Sequence, residues 1–288
     1  MTGRLVLAAT PIGNSRDASA RLIEMLQSAD VVAAEDTRRL LNLAAVLGVR
    51  VSGTMLSYYD ANESDRASEL VRRIAEGQTV LLVSDAGMPL VSDPGHRVVT
   101  LAIAAGFDVD VIPGPSAVTA ALAVSGLPVE RFTFEGFLPR RSGERTTHLQ
   151  SLKDERRAMV FFEAPHRLLD SLQDCIAVFG ADRECAVCRE LTKTHQEVQR
   201  GSLAKVREHF LVVEPRGEIT VVLAGRSAPL AADLSDADIV NRVLEEQAAG
   251  LSASAASAAV AKAIGMPRQT VYDLVLAAKR ERPESVHP

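Results

Sequence analysis

Residues 84–95 read SDAGMPLVSDPG and follow the short apolar run TVLLV at residues 79–83. Such a run before turn-forming residues predicts a strand that is buried on both faces, as in a parallel sheet. Open α/β sheets bind ligands in the loops that leave these strands, and a loop rich in Gly and Pro exposes its backbone groups to a ligand. Alternatively, the loop is a tight connection in which Ser92 or Asp93 caps a helix that starts near Pro94.

The first half of the chain alternates strand and helix patterns. Helices separate the predicted strands, which lie at residues 4–9, 30–34, 54–57, 79–84 and 108–112. This alternation predicts a parallel, Rossmann-like sheet with helices on both faces. We assign residues 1–126 to this first α/β domain.

The pattern changes after Gly126, because two strand patterns now follow each other without a helix between them, at residues 184–189 and 196–202. Adjacent strands predict a mixed sheet, so we expect residues 127–227 to form a second α/β domain. A ligand cleft between two such domains is common.

Residues 228–288 are predicted to form a small helical extension. Its helices at residues 233–247, 252–264 and 267–280 are separated by breaks that contain glycine, and the last pair has helix-turn-helix spacing. We expect the pair to pack on the rest of the protein or on a second subunit. A small excess of basic residues between Lys262 and Arg282 makes a nucleic-acid contact the alternative.

The composition is typical of a soluble globular protein, with 47% hydrophobic and 24% charged residues. A net charge of −5 disfavours capture of nucleic acid by the whole surface. We find no apolar run of about 18 residues, so we expect no membrane span and a cytoplasmic protein. Cys185 and Cys188 form a CxxC pattern, but alternation places them on opposite faces of a strand, which suits neither zinc nor redox chemistry.

Four polar loops follow the predicted parallel strands, at residues 10–14, 35–38, 84–95 and 113–117. The carboxyl ends of parallel strands share one edge of a sheet, so these loops should meet there. The chain lacks the patterns GxxxxGK[ST], GxGxxG, HExxH and GxSxG. The loops therefore favour a polar ligand held mainly by backbone groups over metal chemistry.

Eight segments, in this order, resemble the tetrapyrrole-methylase superfamily: TPIGN, AEDTR, SDAGMPLVSDPG, VIPGPSAVTAAL, FEGFLPR, FEAPHRL, RELTKTH and GEITVVLAG. Within it, AEDTR, APHRL and RELTKTH resemble the branch that methylates the ribose 2′-hydroxyl of a decoding-centre cytidine in 16S ribosomal RNA. The resemblance implies two α/β domains that hold S-adenosylmethionine in their cleft, usually in a homodimer. Two alternatives are a tetrapyrrole substrate and a DNA-binding regulator.

The resemblance also implies which residues contact S-adenosylmethionine. They are Pro11, Gly13 and Asn14; Ser84, Asp85, Ala86 and Gly87; Pro113, Gly114, Ser116 and Ala117; Phe137, Leu138 and Pro139; and Glu218 and Thr220. Asp85 is expected to hold the ribose hydroxyls or the ammonium group, although an Asx-turn that shapes the loop is an alternative for this residue.

A ribose hydroxyl must lose its proton as the new O–C bond forms. The candidates for this catalysis are Glu35 and Asp36, with Arg38 to orient them or to bind a phosphate. Alternatively, Asp36 caps a helix and Glu35 pairs with Arg38. Glu163 and His166 are the second choice, and positioning without a dedicated base is a further alternative.

An RNA substrate requires cations that contact its phosphates. The candidates are Arg140, Arg141, Arg145, Arg167 and Lys193. Solvated surface charges are the alternative interpretation of these residues.

Overall fold

The fold was analysed in a computed structural model that describes residues 3–226 and 234–281. The chain divides after Gly225 into two compact bodies. The predicted boundary at residues 227–228 and the predicted helix start at residue 233 lie outside the described residues, as does Arg282. Among the described residues, no helix is long and apolar enough to cross a membrane.

The first body begins with a five-stranded sheet in which every strand pair is parallel. Its strands are β1 (Arg4–Ala8), β2 (Val31–Ala34), β3 (Thr54–Ser57), β4 (Thr79–Val83) and β5 (Asp108–Ile112). Its helices are α1 (Ala20–Ser28), α2 (Thr37–Val46), α3 (Glu63–Ala75), α4 (His96–Ala104) and α5 (Ala117–Ser125). The central strands are buried because apolar clusters cover both faces of the sheet.

The strand order β3-β2-β4-β1-β5 creates a switch point between β2 and β4. From β2 the chain continues outward to β3, whereas from β4 it crosses β1 to reach β5. Loops after two such neighbouring strands diverge, and the crevice between them is where open α/β sheets bind ligands.

The second sheet is mixed, with the order β6-β7-β10-β8-β9. Its strands are β6 (Phe132–Phe137), β7 (Ala158–Glu163), β8 (Glu184–Arg189), β9 (Glu197–Ser202) and β10 (Ile219–Leu223). Its helices are α6 (Ser142–Ser151), α7 (Leu168–Phe179) and α8 (Leu203–Val212). The strands β6 and β7 are parallel, and the other pairs are antiparallel. The predicted fold class is confirmed.

Helix α5 joins the two sheets, since its residues Val118, Ala121 and Leu122 pack in one apolar cluster with residues of the second sheet. Cys188 belongs to this cluster, whereas Cys185 lies in the core on the opposite face. The predicted separation of the two cysteines is therefore confirmed.

The second body is a three-helix unit of α9 (Asp236–Ala248), α10 (Ala253–Ile264) and α11 (Arg268–Glu281). It has its own core, which includes Ile239, Val260 and Val271. Gly265 ends α10 with φ of 69° and leads into α11, as the helix-turn-helix prediction requires.

Candidate functional site

A cavity of about 350 Å³ opens at the carboxyl edge of the first sheet, within the size range of small-molecule sites. Glu35, after β2, and the loop after β4 form one side of it. The ends of β6 and β7, together with the start of β10, form the other side. The cavity thus lies at the switch point and between the two sheets.

Backbone pairing fixes the loop after β4 against the loop after β1. Thr10 and Gly87 exchange backbone hydrogen bonds of 2.9 and 3.1 Å, and the Thr10 hydroxyl donates to the Ser84 carbonyl at 3.2 Å. Gly87 has φ of 86°, a conformation that glycine adopts without steric cost. This tight turn brings the backbone of residues 85–87 to the cavity wall.

The residues that were predicted to contact the cofactor fall into two groups. One group lines the cavity: Asp85, Ala86, Gly87, Ser116, Ala117, Phe137, Glu218 and Thr220. The cavity lining does not include the other group: Pro11, Gly13, Asn14, Ser84, Pro113, Gly114, Leu138 and Pro139.

The second group lies outside this lining, and its contact with the cofactor stays a prediction. A side chain at Gly13 would overlap the Lys193 side chain, and the Asn14 N–H donates to the Thr192 hydroxyl at 3.0 Å. Gly114 packs against Ala9, and Leu138 is buried in the core of the second sheet.

The apolar part of the wall consists of Ile12, Met88, Val91, Phe162 and Ile219. Ile12 and Ile219 lie within segments that were predicted to contact the cofactor, whereas Met88, Val91 and Phe162 were not predicted to do so. Phe162 pairs with Phe137 across β6 and β7, with ring centroids 5.5 Å apart. The signal in the sequence was the double Phe at the end of a strand, but its partner is fixed only by the pairing of strands that are distant in the chain.

Asp85 ties β4 to the neighbouring strand β2. One carboxylate oxygen accepts from the Asp36 N–H at 2.9 Å, and the other lies 3.2 Å from the Arg39 guanidinium. Both partners lie far from Asp85 in the sequence, so these bonds are not those of a local Asx-turn. Asp85 still lines the cavity, and its contact with a ligand stays a prediction.

Of the three predicted catalytic residues, only Glu35 lines the cavity. Burial, followed by the charge of Asp85, raises the pKa of Glu35. Asp36 caps α2 and binds Arg38 through two side-chain hydrogen bonds of 3.1 and 2.8 Å. These hydrogen bonds lower the pKa of Asp36 to about 2. Asp36 is therefore a helix cap, as the alternative interpretation had it, whereas Arg38 pairs with Asp36 and not with Glu35 as that alternative supposed.

Asp93 and Ser92 are not helix caps, because α4 begins two residues after Pro94, with Gly95 in the capping position. Glu63 serves this helix end instead, accepting from the Gly95 N–H at 2.9 Å. Asp93 lies on the cavity wall, where burial and then the charge of Glu35 raise its pKa to about 7. The sequence did not reveal that Asp93 lies on the cavity wall. The residue that binds the start of α4 instead, Glu63, lies in α3 and is distant in the chain.

The second-choice acid and base are also separated. Glu163 lines the cavity, but it accepts hydrogen bonds from the Ser171 hydroxyl and from the Ala164 N–H. Its carboxylate therefore holds the start of α7. His166 is exposed and is not part of the cavity lining.

Three of the five residues that were predicted to contact phosphates form hydrogen bonds or ion pairs with other residues of the protein. Arg145 is only 4% exposed and forms hydrogen bonds to Asp174 at 2.7 Å. Arg167 donates to the carbonyls of Leu138 and Pro139 at 2.7 and 2.9 Å, so it holds the loop after Phe137.

Lys193 is the third residue with such partners, since it pairs with Glu190 at 2.8 Å and with Glu218 at 3.1 Å. Arg140 and Arg141 are exposed. Contact of each of the five residues with phosphates stays a prediction, and Arg140 and Arg141 are the most accessible of them.

Residues 4–207 match the family model described as Tetrapyrrole (Corrin/Porphyrin) Methylases. The chain belongs to the tetrapyrrole methylase family. The resemblance inferred from the motifs is thus confirmed. Residues 233–279 match a second model, described as the RsmI C-terminal HTH domain, which agrees with the predicted helix-turn-helix pair.

Close relatives within the tetrapyrrole methylase family share most of the chain. A protein of Mycobacterium tuberculosis (strain CDC 1551 / Oshkosh), named Ribosomal RNA small subunit methyltransferase I, is 49% identical over 97% of both chains. A protein of the same name from Thermotoga maritima is 46% identical over 224 residues, which are 78% of this chain and 99% of that one.

Solved structures of tetrapyrrole methylases share the fold at low sequence identity. The methyltransferase CobJ has a TM-score of 0.60 at 19% identity, covering 78% of this chain and 95% of its own. Uroporphyrin-III C-methyl transferase from Thermus thermophilus, complexed with S-adenyl homocysteine, has a TM-score of 0.56 at 19% identity and covers 77% of this chain and 97% of its own.

Proposed function

We propose that the chain transfers a methyl group from S-adenosylmethionine to the ribose 2′-hydroxyl of a decoding-centre cytidine in 16S ribosomal RNA. Family membership and relatives that are 49% identical over 97% of the chain make it a ribosomal RNA methyltransferase. The observation that carries the proposal is the cavity at the switch point, where carboxylates and apolar side chains meet.

The residues of the cavity fit S-adenosylmethionine. Glu35, Asp85 and Asp93 line one side, and carboxylates complement the positive charges of a sulfonium and an ammonium group. Phe137 and Phe162 supply an apolar surface for a flat ring. When bound, the cofactor supplies an electrophilic methyl group on a positively charged sulfur.

Several residues of the chain would orient this group. Ala86 and Gly87 carry no bulky side chain. The polar backbone groups of this turn can therefore approach a ligand closely. Thr220 and Glu218, at the start of β10, would bind from the opposite wall. Holding the two reactants in line removes much of the entropic cost of the transfer.

Arg140 and Arg141 are exposed. They lie between Phe137, the last residue of β6, and Ser142, the first residue of α6. They would contact phosphates of the RNA near the cavity. Since the target lies in a folded RNA, recognition would depend on shape and on unpaired nucleotides.

The test is methylation of small ribosomal subunits from cells that lack this gene, with labelled S-adenosylmethionine. The RNA is digested and its nucleosides are separated by mass spectrometry. Label in 2′-O-methylcytidine supports the proposal. Label on another nucleoside, or on the base, would refute the proposed specificity.

We also place the protein in the cytoplasm, where ribosomal subunits are assembled, and propose that it acts as a homodimer, as the family resemblance implies. Sedimentation equilibrium tests the dimer against the chain mass of 30.8 kDa. A mass near the monomer value at micromolar concentration would contradict it.

A further inference from the structure

Two aromatic rings on the cavity wall, Phe137 at the end of β6 and Phe162 in β7, differ in their exposure. Phe162 is half-buried and packs against the apolar cluster that includes residues of α5. Phe137 is 56% exposed. A single exposed apolar side chain is ordinary on a protein surface, but this one lies on the wall of the cavity, and the backbone is bent to place it there.

A β-bulge in β6 directs Phe137 toward Phe162. Side chains alternate between the two faces of a regular strand, so Phe134 and Phe137 would point to opposite faces. In the structure both rings contact Phe162, with centroids 5.0 and 5.5 Å from its own. The register between β6 and β7 shifts between Phe134 and Phe137, and Gly136 has φ of 65°, which other residues seldom adopt. Bulges are common next to active sites, where they redirect a side chain.

The segment that follows Phe137 is firmly anchored. Leu138 is buried in the core of the second sheet. Arg167 donates to the carbonyls of Leu138 and Pro139 at 2.7 and 2.9 Å, and Arg145 also donates to the Pro139 carbonyl at 3.4 Å. A ring that is carried on such a segment loses little conformational freedom when a ligand covers it.

The charges next to the ring favour RNA as the ligand. Arg140 and Arg141 are exposed and follow Phe137 within four residues. Proteins bind unpaired nucleotides with this combination, in which an aromatic ring stacks on a base and cations contact the phosphates. The 2′-hydroxyl and the base are attached to adjacent carbons of a ribose, so the base of a reacting nucleotide must lie beside the cavity that holds the methyl donor.

We infer that Phe137 stacks on the base of the target nucleotide, an inference that rests on the function proposed above. The base leaves its own stack in the RNA, and the ring of Phe137 replaces part of the contact that is lost. Phe162, the more buried ring, remains for the cofactor. Phe137 therefore binds the substrate, whereas the family resemblance assigns it to S-adenosylmethionine. Because every base has a flat face, this stacking contributes affinity and position and does not select cytidine.

The test is single-turnover methylation of small subunits from cells that lack this gene, with enzyme in excess and S-adenosylmethionine at saturation. Phe137→Ala should raise the enzyme concentration that gives half of the maximal rate by about 5- to 150-fold, the cost of one lost base stack. Phe137→Leu should behave in the same way, because it keeps an apolar side chain but removes the flat ring. Phe137→Trp should stay within about threefold of the wild type, since it keeps a ring that can stack.

Phe132 offers a matched control, since it begins the same strand, is 41% exposed and is not part of the cavity lining. Phe132→Ala should leave the half-saturating concentration unchanged. Phe137→Ala should bind S-adenosylmethionine in calorimetry with an affinity close to that of the wild type. Wild-type half-saturation in Phe137→Ala would overturn the inference. A loss of about tenfold or more in its cofactor affinity, or 1.4 kcal/mol, would also overturn it and would return the ring to the cofactor.

A direct signal of stacking comes from Phe137→Trp, because the chain contains no Trp. Its fluorescence, after subtraction of an equal mixture with the wild type, should fall when small subunits are added, since a stacked base quenches an indole ring. Phe132→Trp should keep its intensity. Equal quenching of the two reporters, or no quenching at residue 137, would overturn the assignment of Phe137.

The proposed function can fail separately. If the wild type labels RNA at another position, the ribose assignment fails whatever the variants show. If the wild type labels 2′-O-methylcytidine and Phe137→Ala reaches half of its maximal rate at the same concentration, only the assignment of Phe137 fails.

Discussion

Asp36 and Asp93 lie after neighbouring strands of one sheet, yet their surroundings give them opposite acidities. Hydrogen bonds from Arg38 lower the pKa of Asp36 to about 2. Burial, followed by the charge of Glu35, raises the pKa of Asp93 to about 7. Residue type is the same, so the difference comes from the partners that the fold supplies. Asp93 is therefore expected to take up a proton at a much higher pH than Asp36.

Two arginines that follow β6, Arg141 and Arg145, show the same dependence on their partners. Arg141 is exposed and pairs with Glu144 on the surface at 3.2 Å. Arg145, one helical turn later, is buried against Asp174 and also donates to the carbonyls of Pro139 and Arg140. Its partners make Arg145 part of the scaffold that carries the exposed residues.

The largest effect on stability is expected from Arg145→Met. This change leaves the partly buried Asp174 without its cation, and breaking a buried pair costs about 3–5 kcal/mol. The free energy of unfolding, measured with urea, should fall by that amount. The matched change Arg141→Met should alter it by less than about 1 kcal/mol. Equal effects of the two changes would contradict the assigned roles.

The pH dependence of stability should separate the two aspartates. Because the folded pKa of Asp93 is raised, the folded state binds more protons than the unfolded state between about pH 4 and pH 7. The stability that Asp93 contributes is therefore complete below that range and is lost as the pH rises through 7. Asp36 has a lowered pKa, so its contribution is complete above about pH 4 and is lost as the pH falls toward 2.

Urea denaturation across this range checks both signs. Asp93→Asn should remove a loss of stability between about pH 4 and pH 7, whereas Asp36→Asn should change only the more acidic limb. If both variants alter the same limb, the contrast between the two residues is wrong.

The smallest effects are expected from the two arginines that follow Asp36. Arg38→Ala should leave the pH dependence of the methylation rate unchanged, because Arg38 does not line the cavity. Arg39→Ala should shift this pH dependence slightly, since Arg39 lowers the pKa of Glu35 and its loss lets Glu35 keep a proton to higher pH. Single-turnover rates of the two variants measure this difference, and a shift confined to Arg38→Ala would contradict it.

The sequence predicts those features that depend on local pattern. The strands β3, β5 and β8 have the predicted bounds, and the loops that meet at the switch point were identified because alternating strands and helices imply a parallel sheet. These predictions succeed because hydrophobic periodicity and turn residues act over a few positions.

The partners of charged residues could not be predicted in this way. Glu63 reaches Gly95 across 32 positions, and Arg145 reaches Asp174 across 29. Both contacts depend on how helices pack, which the local pattern does not encode. For this reason the sequence offered Ser92 or Asp93 as an alternative helix cap, and it did not reveal the ion pair of Arg145 with Asp174.

The most direct test of the central claim is the titration of Asp93 itself. Carbon-13 NMR of the protein labelled in the aspartate carboxyl groups follows each side chain with pH, and the resonance missing from Asp93→Asn identifies Asp93. We predict a midpoint near pH 7 for Asp93, and a lower one when Glu35 is replaced by Gln. A midpoint near 4, the ordinary value for an aspartate, would contradict the contrast between Asp93 and Asp36.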